Sequence, residues 1–330
     1  MTFIRVNPEE VSPIQIRQSD IASWQRCPQQ VKLSRQASDR GERRTTLSAT
    51  VFGTVVHHAA EVLQRLHHEG RTDALDVAIA TFEHYWHPDH LDELEPGGID
   101  VWLPRQTWGG LQIRGRNTLR AFYDDIESDD SLLLALEQHF EFPLDLSEEL
   151  PQDPHHTGSG TIDRLTLRTK GRGKARQTWL SVDDGKTGKK PTYLRYAFQW
   201  TYYSYATLQP EFWDAWEPDQ LKLITAPLAE RGLALYARQP GAEDLPIIPR
   251  RGRWYAWKDN YKVHDCGWRT EVDYKRMKVA LAEYVRSNTA NIFPLTISGD
   301  SCMFCEFGHD GTCGGTPLAE ITEGEPTRSF

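Results

Sequence analysis

The sequence predicts an α/β fold in which helices flank a small mixed sheet. The first 140 residues space their apolar side chains mainly at three- and four-residue steps, as helices do. Residues 141 to 188 switch to alternation with a period of two, and helical spacing returns after Tyr193. No repeat, low-complexity tract or long linker divides the 330 residues. They read as a single domain, with a mainly helical part over 1–135, a sheet core over 136–235 and a closing part over 236–330.

The elements follow in order. Ser19 and Asp20 supply an N-cap signal for a short helix within residues 14–45. Val51, Phe52, Val55, Val56, Ala59, Val62, Leu63 and Leu66 describe an amphipathic helix ending near Gly70, with His57 and Glu61 one turn apart on it. Residues 72–86 and 106–139 also read as helices, joined by the Pro/Gly/His-rich stretch WHPDHLDELEPGGID. LLLALEQHFEFPLDL passes from helix into a strand, and GTIDRLTLRT and TWLSVDDGKTG complete a three-strand meander around a basic turn. Residues 193–207 predict a helix, 219–227 a strand and 272–287 a charged amphipathic helix.

Composition narrows the class. With 38% hydrophobic residues and 11 Trp, 12 Tyr and 12 Phe, the chain is rich enough in apolar side chains for a core, which excludes disordered and fibrous classes. No apolar run reaches the roughly 18 residues a bilayer span needs, and MTFIRVNPEE is not a basic-then-apolar leader, so the expected setting is cytoplasmic, without a membrane partner. A net charge of −9 excludes coating of nucleic acid by bulk charge. Locally, however, Arg164, Arg168, Lys170, Arg172, Lys174, Arg176, Lys186, Lys189 and Lys190 face only Asp183 and Asp184 over residues 164–190. Of these, Arg168, Lys170, Arg172, Lys174, Arg176, Lys189 and Lys190 are the candidate DNA-phosphate contacts, and the aromatic residues are candidate platforms for unpaired bases.

Two constellations carry chemistry. On LSVDDGK, strand alternation places Leu180, Val182, Asp184 and Lys186 on one face and Asp183 on the other, with Asp163 on the neighbouring strand. Two carboxylates on adjacent strand ends suit Mg2+ or Mn2+, and a lysine beside them can orient a water for phosphodiester hydrolysis. Asp183 stands as the alternative to Asp184. The second constellation is Cys302-x2-Cys305, then Cys313, with Cys27 far upstream, leaving Cys266 to pack in the core. One lone cysteine and a triplet fit the paired spacing of a zinc ribbon poorly. Gly185-Lys186-Thr187 lacks the earlier glycine of a P-loop, since position 180 is Leu, so no ATPase motor is encoded. His84, His87 and His90 could bind a metal, but a polar loop is the favoured reading, because Pro88 breaks their helical register.

The ordered set Gly53-x3-His57, Gly160-x-Ile162-Asp163, Asp184-x-Lys186-Thr187-Gly188 and Gln199-x3-Tyr203 resembles the RecB-type branch of the PD-(D/E)xK nuclease superfamily, from about residue 14 to 313. The resemblance implies a restriction-endonuclease-like core, with His57, Asp163 and Asp184 as ligands of Mg2+ or Mn2+ and the Gly185 carbonyl as a further one. It implies that Lys186 positions the nucleophile and that Gln199 and Tyr203 line the catalytic site. The family usually has an apolar residue before its acid and an apolar or aromatic one between acid and lysine, whereas here Asp183 and Gly185 occupy those places.

SDIASWQRCPQQVKLS and NIFPLTISGDSCMFCEFGHDGTC resemble the cysteine segments of the iron-sulfur subset, which includes AddB-like nuclease domains and CRISPR-associated exonucleases of the Cas-four type. That resemblance implies a 4Fe-4S cluster on Cys27, Cys302, Cys305 and Cys313, with zinc as the alternative occupant, although seven residues before Cys313 is a long spacing for the family. Closing a loop of about 275 residues in this way would stabilise the fold by roughly 5 kcal/mol, which favours a staple over a redox role.

The resemblance therefore implies a metal-dependent DNA exonuclease acting on single-stranded DNA or DNA ends in recombination, repair or phage DNA processing, with 5′-phosphate products. The alternative is a catalytically silent DNA-end-binding or assembly subunit, for example in CRISPR spacer acquisition. A recombinase, an annealing protein, a separate helicase, CRISPR adaptation proteins and a second copy of the chain in a homo-oligomer are the partners the resemblance leaves open.

Overall fold

The computed structural model describes residues 14–42, 46–151, 156–172, 176–187, 197–257, 261–296, 305, 307 and 312–313. β1 (Gln15–Arg17) runs directly into α1 (Gln18–Arg26), and Cys27 ends that helix and begins α2 (Pro28–Asp39). Pro28 sits at the first helical position, where its missing N–H leaves no bond unmade. α3 (Ser48–His68), α4 (Ala74–Tyr85) and α5 (Trp108–Glu127) form a helical layer. Its core joins the predicted stripe of α3 to Phe82, Trp86, Leu119 and Phe122. Gly115 lets α5 approach α4, since a Cβ there would fall 2.0 Å from the Phe82 ring.

The helix predicted over 106–139 stops at Glu127, and Leu132–Leu144 is strand β2 instead. The Asp129 carboxylate accepts from the Ser131 N–H at 3.1 Å, a local bond that competes with helix continuation. β3 (His156–Lys170) and β4 (Gln177–Lys186) complete the expected meander. After α6 (Phe198–Ala206) and the short α7 (Pro210–Trp213), the predicted strand at 219–227 is helix α8 (Pro218–Ala229). Pro218 starts it at the N1 position, and Ile224 and Leu228, one turn apart, are its buried face.

The strands that follow are β5 (Arg250–Ala256) and β6 (Lys262–Trp268), and α9 (Glu271–Thr289) closes the described fold. β5 was hidden because its arginines break any apolar run. Arg250 is nonetheless buried, donating to the carbonyls of Thr207, Leu235 and Ile248, so these backbone groups are its solvent.

β3 is the hub of the sheet. One edge takes β2 antiparallel along nearly its whole length; the other takes β1 parallel over Thr157–Ser159 and β4 antiparallel over Arg164–Lys170. β5 runs parallel to β4, and β6 antiparallel to β5, so the sheet is mixed. α3 to α5 pack against one face through Tyr255 and Trp257. α1 and α6 to α9 cover the other over Ile162, Leu165, Leu180 and Val182. Among the described residues no helix is long and apolar enough to cross a membrane.

Candidate active site

Residues 160–163 of β3 face a gap between β1 and β4, because the β4 ladder begins only at Arg164↔Asp183. Asp163 bridges this gap with its side chain: its Oδ2 accepts from the Gly185 N–H at 2.9 Å. Gly185 has no room for a side chain, as a Cβ would lie 2.3 Å from the Trp257 indole. Gly53 likewise brings α3 close to the end of β4, where its Cβ would be 3.2 Å from Thr187 Oγ1. One turn later on α3, His57 Nδ1 is 3.5 Å from Asp163 Oδ2, and its ring packs on Trp257 with centroids 4.5 Å apart. The Gly53-x3-His57 spacing thus has a geometric reason.

Strand alternation separates the two aspartates as expected. The Asp184 side chain is fully buried, and its Oδ1 accepts from Lys186 Nζ at 2.9 Å and from Gln199 Nε2 at 2.6 Å. Among the described residues its Oδ2 has no hydrogen-bond partner. Tyr203 lies one turn from Gln199 on α6, and burial, then the charge of Asp184, push its hydroxyl pKa up. Asp183 points the other way, into a buried network. There Ser181, Thr166, Tyr255 and Arg168 donate to it, and Arg168 also donates two hydrogen bonds to Asp129, at 2.7 and 2.8 Å. Arg164 joins Asp129 to the Tyr255 hydroxyl. With both carboxylate oxygens of Asp183 occupied by these donors, the carboxylate next to Lys186 is Asp184.

One acidic residue escaped the sequence reading. Glu137 lies between the pairs Leu136↔Arg164 and Gln138↔Ile162, opposite Asp163, with φ at +46°. This left-handed backbone is unusual for a non-glycine residue, and here it delivers a third carboxyl to the cleft. Donor atoms of His57, Glu137 and Asp163 lie within 4.8 Å of one another. Nothing in the local sequence marks Glu137, since its placement depends on the β2–β3 register and an irregular backbone. Glu61, Gln64 and Trp257 also line this cleft, and the buried network of Asp183 and Arg164 borders it.

The electrostatics reflect crowded acids. Burial, then the negative charge of Asp163, push Asp184 up to about 7 despite Lys186 and Gln199. Desolvation within the crowded cleft, then the charges of Asp163 and Glu61, push the Glu137 pKa up, although its side chain is exposed in part. Lys186 shifts upward because Asp184 and Asp163 outweigh the burial that opposes its charge. Burial lowers the His57 pKa against the pull of Asp163, which keeps the imidazole neutral and able to donate a lone pair. The donors of His57, Glu137 and Asp163 lie within one cation's span, and the charge of Asp163 is felt by Asp184, whose buried Oδ2 has no donor among the described residues; carboxylates and an imidazole so arranged fit a hard divalent cation.

The basic strip is placed differently from the expectation. Arg168 is spent on Asp129 and Asp183, inside the fold. Arg172 and Arg176 line a separate groove of about 650 Å³ with Leu132 of β2, Leu223 of α8 and Arg231 just beyond that helix. Arg176 precedes β4 and Asp184 nears its end, so roughly 25 Å of strand separates them. Lys170 is exposed at the end of β3. Lys174, Lys189 and Lys190 lie outside the described residues.

Of the cysteines, Cys27 is buried at the start of α2, and Cys305 and Cys313 pack with Phe307 against Leu33 and Ala37 of that helix. Cys302 lies outside the described residues. Cys266 packs beside Trp200 and Trp254.

The α/β architecture, a mixed central sheet flanked by helices with acids and a lysine where two strands part, is that of a restriction-endonuclease-like fold. The chain belongs to the PD-(D/E)XK nuclease superfamily, which it matches over residues 16–309. A search of curated proteins found no match.

Proposed function

We propose that this protein is a Mg2+- or Mn2+-dependent deoxyribonuclease that degrades DNA from its ends, single strands included, as a cytoplasmic enzyme of DNA recombination or repair. The observation that carries the reading is the buried, unpartnered Oδ2 of Asp184 within reach of a fixed lysine. His57, Asp163, Asp184 and Glu137, with the Gly185 carbonyl, are the residues that would hold the cation. When bound, the cation supplies positive charge against the negative charge that develops on the phosphate.

The remaining roles belong to the chain. Lys186 orients the attacking water and screens the phosphate, Gln199 fixes the Asp184 rotamer, and Tyr203 lines the site one turn from Gln199. Trp257 walls His57 from solvent and fixes its ring. The packing of Cys305 and Cys313 on α2, which Cys27 begins, supports a 4Fe-4S staple on Cys27, Cys302, Cys305 and Cys313.

The test is degradation of 5′- and 3′-end-labelled single- and double-stranded DNA by anaerobically purified protein, with and without Mg2+ or Mn2+. The visible spectrum is recorded for wild type and Asp184→Asn. Metal-dependent loss of label that disappears in the variant, from a brown protein, supports the reading. A folded wild type with its chromophore that binds DNA ends but never cleaves would replace it with an end-binding subunit.

A further inference from the structure

Outside the acidic cleft, the connection between α4 and α5 gathers three other donors. His84 Nε2 is 3.3 Å from Glu93 Oε2, and His90 Nδ1 is 2.8 Å from Glu93 Oε1. The two imidazoles stack with centroids 4.1 Å apart and planes 25° from parallel. One donor atom from each of the three residues falls within a 4.8 Å span. The sequence reading of a polar loop rested on Pro88 ending the helical register. The helix ends at Tyr85, three residues before Pro88, and the turn that follows folds His90 back onto His84.

We propose that His84, His90 and Glu93 form a site for Zn2+ or a similar borderline first-row divalent cation. Two imidazoles and one carboxylate are a set that zinc favours, whereas Mg2+ prefers all-oxygen surroundings. In the metal-free form each oxygen of Glu93 engages a different ring, so the carboxylate already holds both histidines together. Tautomer exchange through solvent moves the ring protons to the opposite nitrogens and frees His84 Nε2 and His90 Nδ1 as ligands. His87, with its ring 5.7 Å from that of His90, or a water completes the coordination.

The scaffold under these side chains is fixed. Trp86, two residues after His84, is buried and stacks on Trp108 at 4.6 Å. Leu91, next to His90, is buried, and the turn is closed by His90 N–H and Leu91 N–H donating to the His87 carbonyl at 3.0 Å. A ligand set carried on anchored backbone loses little freedom on binding. Bound zinc would therefore clamp the end of α4 to the segment leading to α5, and so brace the helical layer that holds His57.

The full-length holoprotein, saturated with Mg2+ to occupy the acidic cleft, is titrated calorimetrically with Zn2+ alongside His84→Ala, His90→Ala and Glu93→Gln. These side chains are 45%, 42% and 49% exposed, so the variants are expected to fold, which circular dichroism and unchanged Mg2+-dependent DNA cleavage check. The proposal expects one Zn2+ equivalent in wild type that each variant loses or weakens at least tenfold, with zinc-edge X-ray absorption showing only nitrogen and oxygen neighbours. Equal binding in all four proteins, sulfur neighbours at the variant-sensitive zinc, or no zinc bound by wild type would overturn it.

Discussion

Glu137 stands across the β2–β3 ladder from Asp163, and its left-handed backbone turns its carboxyl toward the same cleft. Two acids on facing strands then share one neutral histidine, and their mutual repulsion contributes to the raised Glu137 pKa. If both serve a cation, Glu137→Gln should raise the Mn2+ concentration needed for half-maximal cleavage by roughly tenfold or more, by analogy with the cost of losing groups around a metal. Thermal denaturation in EDTA would show no loss of stability. An unchanged metal requirement would remove Glu137 from the ligand set.

Lys186 and Gln199 meet on one oxygen of Asp184 but should differ in effect. Lys186→Met is expected to abolish cleavage while Mn2+ binding, read by calorimetry, persists. Gln199→Ala should act through the rotamer of Asp184, weakening metal affinity by about 10–100-fold with part of the maximal rate retained at high metal. Equal loss in both variants at saturating metal would contradict these separate roles.

The Asp129 network ties stability to pH. Burial opposes the charge of Asp129, but the bonds and charges of Arg168 and Arg164 outweigh it and hold the carboxyl well below its ordinary value. A depressed carboxylate contributes stability above its unfolded pKa and loses it as pH falls toward the folded one. Wild type should therefore lose stability as pH drops below about 4, the ordinary carboxylate range. Asp129→Asn takes from Arg164 its carboxylate partner and from Arg168 one of two, Asp183 remaining 3.2 Å away, at an expected cost of about 3 kcal/mol at neutral pH. That deficit should shrink in acid. Urea denaturation midpoints from pH 7 down to 3 measure both trends.

Gly185→Ala should place a methyl group where the Trp257 indole now packs, destabilising the protein by roughly 1–3 kcal/mol and displacing His57 with the ring. Cleavage should fall more than stability does at assay temperature. Recovery of stability without activity in Gly185→Ala combined with Trp257→Phe would show that the indole positions the site. Full activity of Gly185→Ala alone would show the opposite.

The Tyr202 hydroxyl donates to the Ile16 carbonyl at 2.6 Å and accepts from the Ser159 N–H at 2.9 Å, where β1 meets β3. Tyr202→Phe leaves these buried backbone groups short of a partner, and a loss of about 1–3 kcal/mol in chemical denaturation is expected. A change below about 0.3 kcal/mol would mean that water replaces the hydroxyl.

The sequence by itself determined the α/β class, the helical stripe of α3 and the β2–β3–β4 meander, because short-range periodicity already encodes which face is buried. Strand alternation alone separated Asp184 from Asp183, and the superfamily motifs were readable as an ordered set. Only tertiary structure decided the rest. Whether 219–227 becomes helix or strand depended on packing of Ile224 and Leu228, and β5 was masked by arginines that the fold neutralises internally. Glu137 enters the cleft through a cross-strand register and a left-handed residue, and Arg168 leaves the basic strip for Asp129 and Asp183. These outcomes rest on contacts between residues far apart in the chain, and local composition carries no record of such partners.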